Sequence, residues 1–193
     1  ANAMNDFLFA DEDELNIAEP EKAKWKVLIV DDEPDIHQVT TLVLSDFQFE
    51  DSKLELLHAY SAKEAETLLA EHPDVAVGFI DVVMETTHAG LHLIQHIRNE
   101  LNNHNMRLVL RTGQAGEAPE EQVIKDYDIN DYKNKTELTA AKLRTLMFST
   151  LRSYRDILTI EKHKQGLERI IAATINFLDC SSLTEFASAV LEQ

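Results

Sequence analysis

The sequence predicts an α/β fold: a doubly wound, five-stranded parallel sheet followed by a long C-terminal helical extension. Three observations predict it. Short apolar runs alternate with helix-period segments from residue 25 to about 150, the pattern of a parallel sheet covered on both faces. Several of those runs end on a carboxylate, a hydroxyl or a lysine. Beyond Thr136 the apolar residues recur only at helical spacing.

"KVLIV" reads as a buried first strand ending at Asp31-Asp32. "EPDIHQVTTLVLSDF" carries apolar residues at 36, 39, 42 and 43, a helical period. "LELLHAY" reads as the second strand. "SAKEAETLLAEH" follows as a helix, with Ser61 at its N-cap and Glu64 three residues later, a capping box. "VAVGFI" reads as the third strand and "GLHLIQHIRNEL" as a helix with Leu91, Ile94, Ile97 and Leu101 on one face. "RLVLRT" is the fourth strand, "EAPEEQVIKDY" a short helix with Pro119 near its first turn, and "INDYKNK" a weaker fifth strand. An apolar stripe at 143, 147, 151, 154 and 158 then marks a long helix to about Gly166. A second helical pattern at Leu167, Ile171, Thr174 and Leu178 follows with a shifted phase.

Composition narrows the function classes. A net charge of −17 opposes nonspecific binding to nucleic acid or anionic lipid. No apolar run approaches the roughly 20 residues that cross a bilayer. Cys180 is the only cysteine and has no internal disulfide partner, which suits a reducing, cytoplasmic setting. Ala1-Asn2-Ala3 ahead of Met4 reads as a cloning remnant, and residues 5–24 as an acidic leader in which Phe7, Leu8 and Phe9 offer apolar anchors.

In a doubly wound sheet, ligands bind outside the carboxyl ends of the strands. Those ends supply Asp31, Asp32, Asp81, Thr112 and Lys135. Crowded carboxylates raise one another's pKa, and a divalent cation relieves that repulsion. Magnesium suits the set because it takes a few carboxylates, keeps waters and leaves room for phosphate oxygens. With Mg²⁺ and Lys135 opposing the charge, Asp81 can remain ionised and attack phosphorus.

Residues 25 to about 150 resemble a receiver domain of the two-component response-regulator family, through "VLIVDDEPD", "FIDVVM", "LVLRTG" and "DYKNK". The resemblance implies a flavodoxin-like sheet and a phosphorylation-controlled switch. It implies Asp81 as the phosphoacceptor, with Asp31, Asp32, Asp81 and the main-chain carbonyl of Val83 holding Mg²⁺. Thr112 matches the hydroxyl that bonds the phosphoryl group, Tyr132 the aromatic that turns inward with it, and Lys135 the lysine that contacts a phosphoryl oxygen. The implied partner is a histidine kinase or phosphotransfer protein. The expected organisation is a remnant and leader over 1–24, a receiver over 25–150, and a helical linker with the truncated start of a second domain over 151–193. "VVMETTHAGL", "RTGQAGEAPE" and "YDINDYKNKTELTAAKL" resemble a subgroup in which a poorly characterised domain and a further output module follow the receiver. The chain itself is expected to act on no substrate beyond its own Asp81.

The sequence departs from the family pattern in places. Glu85 stands where proline usually follows Met84, Gly90 opens the third helix one residue late, and Thr136 replaces the proline that commonly follows the lysine. The link between the first helix and second strand is also long. These departures favour, as the alternative, a receiver-like protein-binding module that works without phosphorylation. An aspartyl-phosphate phosphatase would need a second aspartate two residues after the nucleophile; that residue is Val83. His92 and His96 have zinc-chelating spacing, but no third ligand is placed, and they read as solvated surface. The stripe from Leu143 to Leu158 either covers the sheet or pairs with a second chain, flanked by Arg152, Arg155, Glu161 and Lys162; a homodimer through the C-terminal helices is expected.

Overall fold

The computed structural model describes residues 23–113, 121–135 and 139–191. The chain forms β1 (Trp25–Val30), α1 (Pro34–Leu44), β2 (Gln48–Phe49), β3 (Ser52–Ala59), α2 (Ala62–Glu71), β4 (Val77–Asp81) and α3 (Ala89–Gln95). A π-helical turn at His96–Glu100 extends α3, and β5 (Arg107–Thr112), α4 (Glu121–Asp126), β6 (Asp131–Asn134) and α5 (Ala140–Leu191) complete the order. The sheet order is β2-β3-β1-β4-β5-β6. All pairs are parallel except β2 with β3.

The parallel part of the sheet is the five-stranded one expected from sequence. The sixth strand is the two-residue β2, which explains the long connection after α1. Glu50 and Asp51 turn the chain back with φ of 51° and 59°, as a two-residue hairpin whose twist matches its strands requires. Arg155 of α5 pairs with Glu50 at this turn. Ser61 caps α2 as expected, accepting from the Glu64 amide at 3.2 Å. The return arm reaches one residue further back: the Tyr60 amide donates to Glu64 Oε2 at 2.8 Å.

Strand alternation divides the core in two. Leu28, Val30, Ile80, Leu108 and Leu110 face α2 and α3. Val27, Phe79 and Val109 face α1 and α5, where Leu143, Met147, Leu151 and Tyr154 cover them. The first part of the α5 stripe is therefore spent on the chain's own sheet. Residues 158–175 are exposed, Ile160, Leu167, Ile170, Ile171 and Ile175 among them. The break expected near Gly166 is not there: α5 is one helix, because an isolated glycine in an exposed helical turn costs only about 1 kcal/mol. Polar ties hold its base to the rest of the chain. Arg144 donates to Asp46 at 2.6 Å, and Asn105 donates to Glu161 at 2.8 Å.

The buried face of α1 also differs from its apolar period. His37, Thr40 and Leu44 are buried, whereas Val39 and Leu42 point outward. Two polar side chains occupy this face because the sheet offers them partners there. No helix among the described residues is long and apolar enough to cross a membrane.

Met147 has no exposed surface between α5 and the sheet. Met147→Ala is expected to lower stability by about 2–5 kcal/mol, and Lys164→Ala, on the free part of the helix, by no more than about 0.5 kcal/mol. Denaturant unfolding of both variants checks this; equal losses would contradict the division of α5 into a packed and a free part.

Candidate functional site

The chain rises through β1, leaves to β3 on one side, and returns across the sheet to β4 on the other. The carboxyl ends of β1 and β4 thus border the point where the winding reverses, the usual crevice of such sheets. Asp31 follows β1 and Asp81 ends β4. Both are buried, at 0% and 3% exposure. Asp32 and Glu33 stand exposed beside them, and ligand oxygens of the four carboxylates lie within 4.8 Å of one another.

Lys135 enters this cluster from just beyond β6. Its Nζ lies 2.8 Å from Asp81 Oδ2, 2.8 Å from Glu33 Oε1 and 3.1 Å from Asp31 Oδ2. Burial acts against its charge, yet the hydrogen bonds to Asp81 and Glu33 and the pull of Asp31 and Asp81 hold its pKa above the ordinary lysine range. Burial dominates at Asp81 and pushes its carboxyl above the usual value. The Lys135 hydrogen bond and charge oppose that rise, Asp31 adds to it, and the Val83 amide, 3.4 Å from Oδ1, opposes it weakly. Lys135 is thus brought fully into the site, without the proline that commonly follows it.

Thr112 ends β5 one residue past Arg111, the cross-strand partner of Asp81, and is 1% exposed. Tyr132 lies on β6 beside Leu110, half-buried against the α2–α3 side of the core. Val83 sits in the loop directly after the acceptor strand. His92 is exposed and His96 pairs with Glu100 at 2.9 Å; among the described residues they join no cluster of three metal-ligating groups. Gln114, Pro119, Thr136 and the leader through residue 22 lie outside the described residues.

The two departures after Asp81 have structural uses. Glu85 Oε1 accepts from the Ala62 amide at 3.0 Å, so the acceptor loop is tied across to the N-terminus of α2, where a carboxylate is favoured. Gly90 lies against the acceptor strand: a Cβ there would stand 1.9 Å from the Asp81 carbonyl oxygen, and backbone cannot give way. The extra residue before Gly90 is accommodated while α3 still packs directly on Asp81.

Three further groups were not singled out in the sequence. Glu33 shares Lys135. His37 Nε2 lies 2.8 Å from the Asp31 carbonyl, which can only accept, so His37 donates there; its Nδ1 meets His58 Nδ1 at 2.9 Å. His58 is lowered by burial and then by the neighbouring His37. Arg111 lies behind the carboxylates, its Nη2 3.5 Å from Asp31 Oδ2. An arginine or histidine inside an apolar strand or helix period was the available signal.

Residues 27–147 match the response regulator receiver domain family. The chain belongs to that family. Residues 147–193 match a domain of unknown function, DUF3369. Over 169 residues the chain is 54% identical to the 3'3'-cGAMP-specific phosphodiesterase 2 of Vibrio cholerae serotype O1. That alignment takes in 88% of this chain and 32% of the relative, so the chain spans about a third of that enzyme's length. Among solved structures, a CheY-like receiver domain protein of Methanospirillum hungatei matches with a TM-score of 0.55 at 20% identity, over 69% of this chain and 98% of that one. The signal receiver domain of an HD domain-containing protein of Pseudomonas fluorescens matches with a TM-score of 0.55 at 20% identity, over 69% and 99%. These likenesses carry the flavodoxin-like receiver fold.

The phosphodiesterase overturns one expectation. The chain was read as acting on nothing beyond its own Asp81, yet this relative is an enzyme. The earlier reading rested on the strand-end residues of the receiver, which say nothing about chemistry elsewhere in a longer protein.

Because burial raises the Asp81 pKa, the folded chain binds that proton more tightly than the unfolded chain. Stability is therefore lost as pH rises from the unfolded aspartate value through the raised one. Asp81→Asn removes this loss. Its melting temperature should exceed the wild type's at pH 7, and the gap should close as pH falls toward about 3.9. Thermal melts across that range check it; a gap independent of pH would contradict the burial argument.

Proposed function

We propose that the chain is the regulatory portion of a phosphorylation-controlled cyclic-dinucleotide phosphodiesterase, with Asp81 as phosphoacceptor. The observation that carries the first half is the buried Asp81 carboxylate bonded to Lys135 at 2.8 Å beside Asp31, at the winding reversal of a receiver sheet. The 54% identity to a 3'3'-cGAMP-specific enzyme supports the second half. On this reading the output enzyme hydrolyses 3'3'-cGAMP or a close relative, under control of the receiver. The organisation follows the earlier boundaries: receiver to about 150, then a helical start of the second domain. The setting is cytoplasmic.

The oxygen-only donor set suits a hard divalent cation. Asp31, Asp32, Asp81 and the main-chain carbonyl of Val83 would hold Mg²⁺, which when bound neutralises phosphoryl oxygens. Asp81 attacks phosphorus in line; a carboxylate O–P bond forms as the bond from phosphorus to the donor breaks, the donor being a histidine kinase, a phosphotransfer protein or an acyl phosphate. Lys135 releases Asp31 and Glu33 to face the phosphoryl oxygens, and Thr112 donates its hydroxyl to one of them. Tyr132 follows Thr112 into the space it leaves. The exposed stripe of α5 carries the change onward as a paired helix with a second copy of the chain. Arg155 and Glu161 are engaged with Glu50 and Asn105, so that seam begins past Glu161.

Intact mass after incubation with Mg²⁺ and acetyl phosphate should show one added phosphoryl group, and Asp81→Asn none. Light scattering with and without beryllofluoride should show a change in dimer fraction. No added mass with any donor would favour the phosphorylation-independent module, with Glu85 and Thr136 as reasons. Hydrolysis of 3'3'-cGAMP by the full-length protein, equal for wild type and Asp81→Asn under phosphorylating conditions, would overturn control of the output.

A further inference from the structure

Arg111 is a charged strand-end residue beside the acidic cluster to which the proposed chemistry gives no role. In the parallel register Asp81 stands beside Arg111, and the pairing of Val30 with Ile80 places Asp31 next along the same row. Three charged side chains thus cross the carboxyl edge of the sheet side by side, each no more than 4% exposed. Strand alternation points Thr112 to the α2–α3 side and Arg111 to the α1–α5 side. There the guanidinium lies over the Phe79 ring, 5.7 Å from its centroid, with Nη2 3.5 Å from Asp31 Oδ2 and Nη1 3.4 Å from Thr40 Oγ1.

This is an expensive place for a cation. Nε finds no acceptor among the described residues, and the contacts to Asp31 and Thr40 are long. Burial pushes the guanidinium pKa down, opposed by the charges of Asp31, Asp81 and Glu33, though arginine stays protonated even so. A residue held only for packing would be better served by methionine or leucine, which fit the same slot without desolvating a charge. The observations therefore point to the charge itself. Lys135 and Arg111 differ in where they start: Lys135 approaches from beyond the end of β6, whereas Arg111 projects from β5, a strand paired on both sides, and is 4% exposed.

The charge balance shows what a fixed cation does there. Four carboxylates gather in the cluster, and two cations among the described residues reach it. Two negative charges remain, the complement of one divalent ion. Without Arg111 three would remain, and the site would hold a divalent cation more tightly while accepting the negative phosphoryl group less readily.

We infer that Arg111 is a positioning residue of the phosphoacceptor site: a fixed buried counter-ion that orients Asp31 and weakens the site's hold on the divalent cation, leaving charge capacity for the phosphoryl group. The inference rests on the phosphoacceptor reading above and adds a residue to it. It predicts opposite effects on two steps. A unit charge several ångströms from a divalent ion would change its binding by roughly an order of magnitude even at the screening of bulk water. Arg111→Met should bind Mg²⁺ at least about tenfold more tightly and take phosphoryl from acetyl phosphate severalfold more slowly at saturating Mg²⁺. A residue of purely structural importance would weaken both.

The test is Mg²⁺ titration by calorimetry on the whole chain, as wild type, Arg111→Met and Arg111→Gln. Arg111→Gln keeps a donor toward Asp31 and Thr40 while dropping the charge, so it carries the same prediction if the methionine variant does not fold. Tighter Mg²⁺ binding with slower phosphorylation supports the inference. Unchanged or weaker Mg²⁺ binding in a folded neutral variant overturns it. If the wild type itself neither binds Mg²⁺ nor accepts phosphoryl, the phosphoacceptor reading fails first, and the inference fails with it.

Discussion

Two aspartates are buried side by side at the carboxyl edge of the sheet, and much of the site is arranged around that constraint. Charge removed from water is destabilising by several kcal/mol per ion unless it is compensated. Asp31 and Asp81 are compensated by one ammonium that touches both, at 3.1 and 2.8 Å, and by a guanidinium behind Asp31. The Lys135 contact ties the end of β6 to the ends of β1 and β4. It also sets a positive charge against Asp31 and Asp81 at a position where a phosphoryl donor can approach. The same contact that offsets the burial is the one that must be exchanged during phosphoryl transfer.

Around this centre the two faces of the sheet have different work. The α2–α3 face carries Thr112 and Tyr132 and packs against the acceptor loop, which Glu85 ties to α2 and Gly90 lets α3 approach. The α1–α5 face carries Arg111, Thr40 and His37 and is closed by the first turns of α5. Charge at the site is therefore connected by direct contact to the face on which the long helix lies.

Much of this was legible in the sequence, and what was not has specific causes. Parallel strands buried on both faces read as plain apolar runs, so "KVLIV" and "RLVLRT" marked their own ends and put Asp31 and Thr112 in place. The capping of α2 was visible because its chemistry is local. The face of α1 was misjudged because His37 and Thr40 are buried by partners in other elements: the Asp31 carbonyl, His58 and Arg111. Long-range pairing of this kind leaves no periodic trace. The hairpin at Glu50-Asp51 was missed because the turn lacks the glycine that usually announces it. The unbroken course of α5 was missed because Gly166 was given the weight of a breaker in a helix that has nothing packed against it there. The enzymatic character of the relative was beyond reach, since a receiver sequence specifies an input and not the output it controls.

The central claim is that Lys135 is the cation that makes burial of Asp31 and Asp81 tolerable and that a divalent cation can take over that task. The most direct test is the melting temperature of Lys135→Met at pH 7 with and without Mg²⁺, against the wild type. The account predicts a clear loss for the variant without Mg²⁺ and a larger stabilisation by Mg²⁺ than the wild type shows, because the ion binds the folded, uncompensated cluster. A variant as stable as the wild type, or one that Mg²⁺ does not restore, would contradict it.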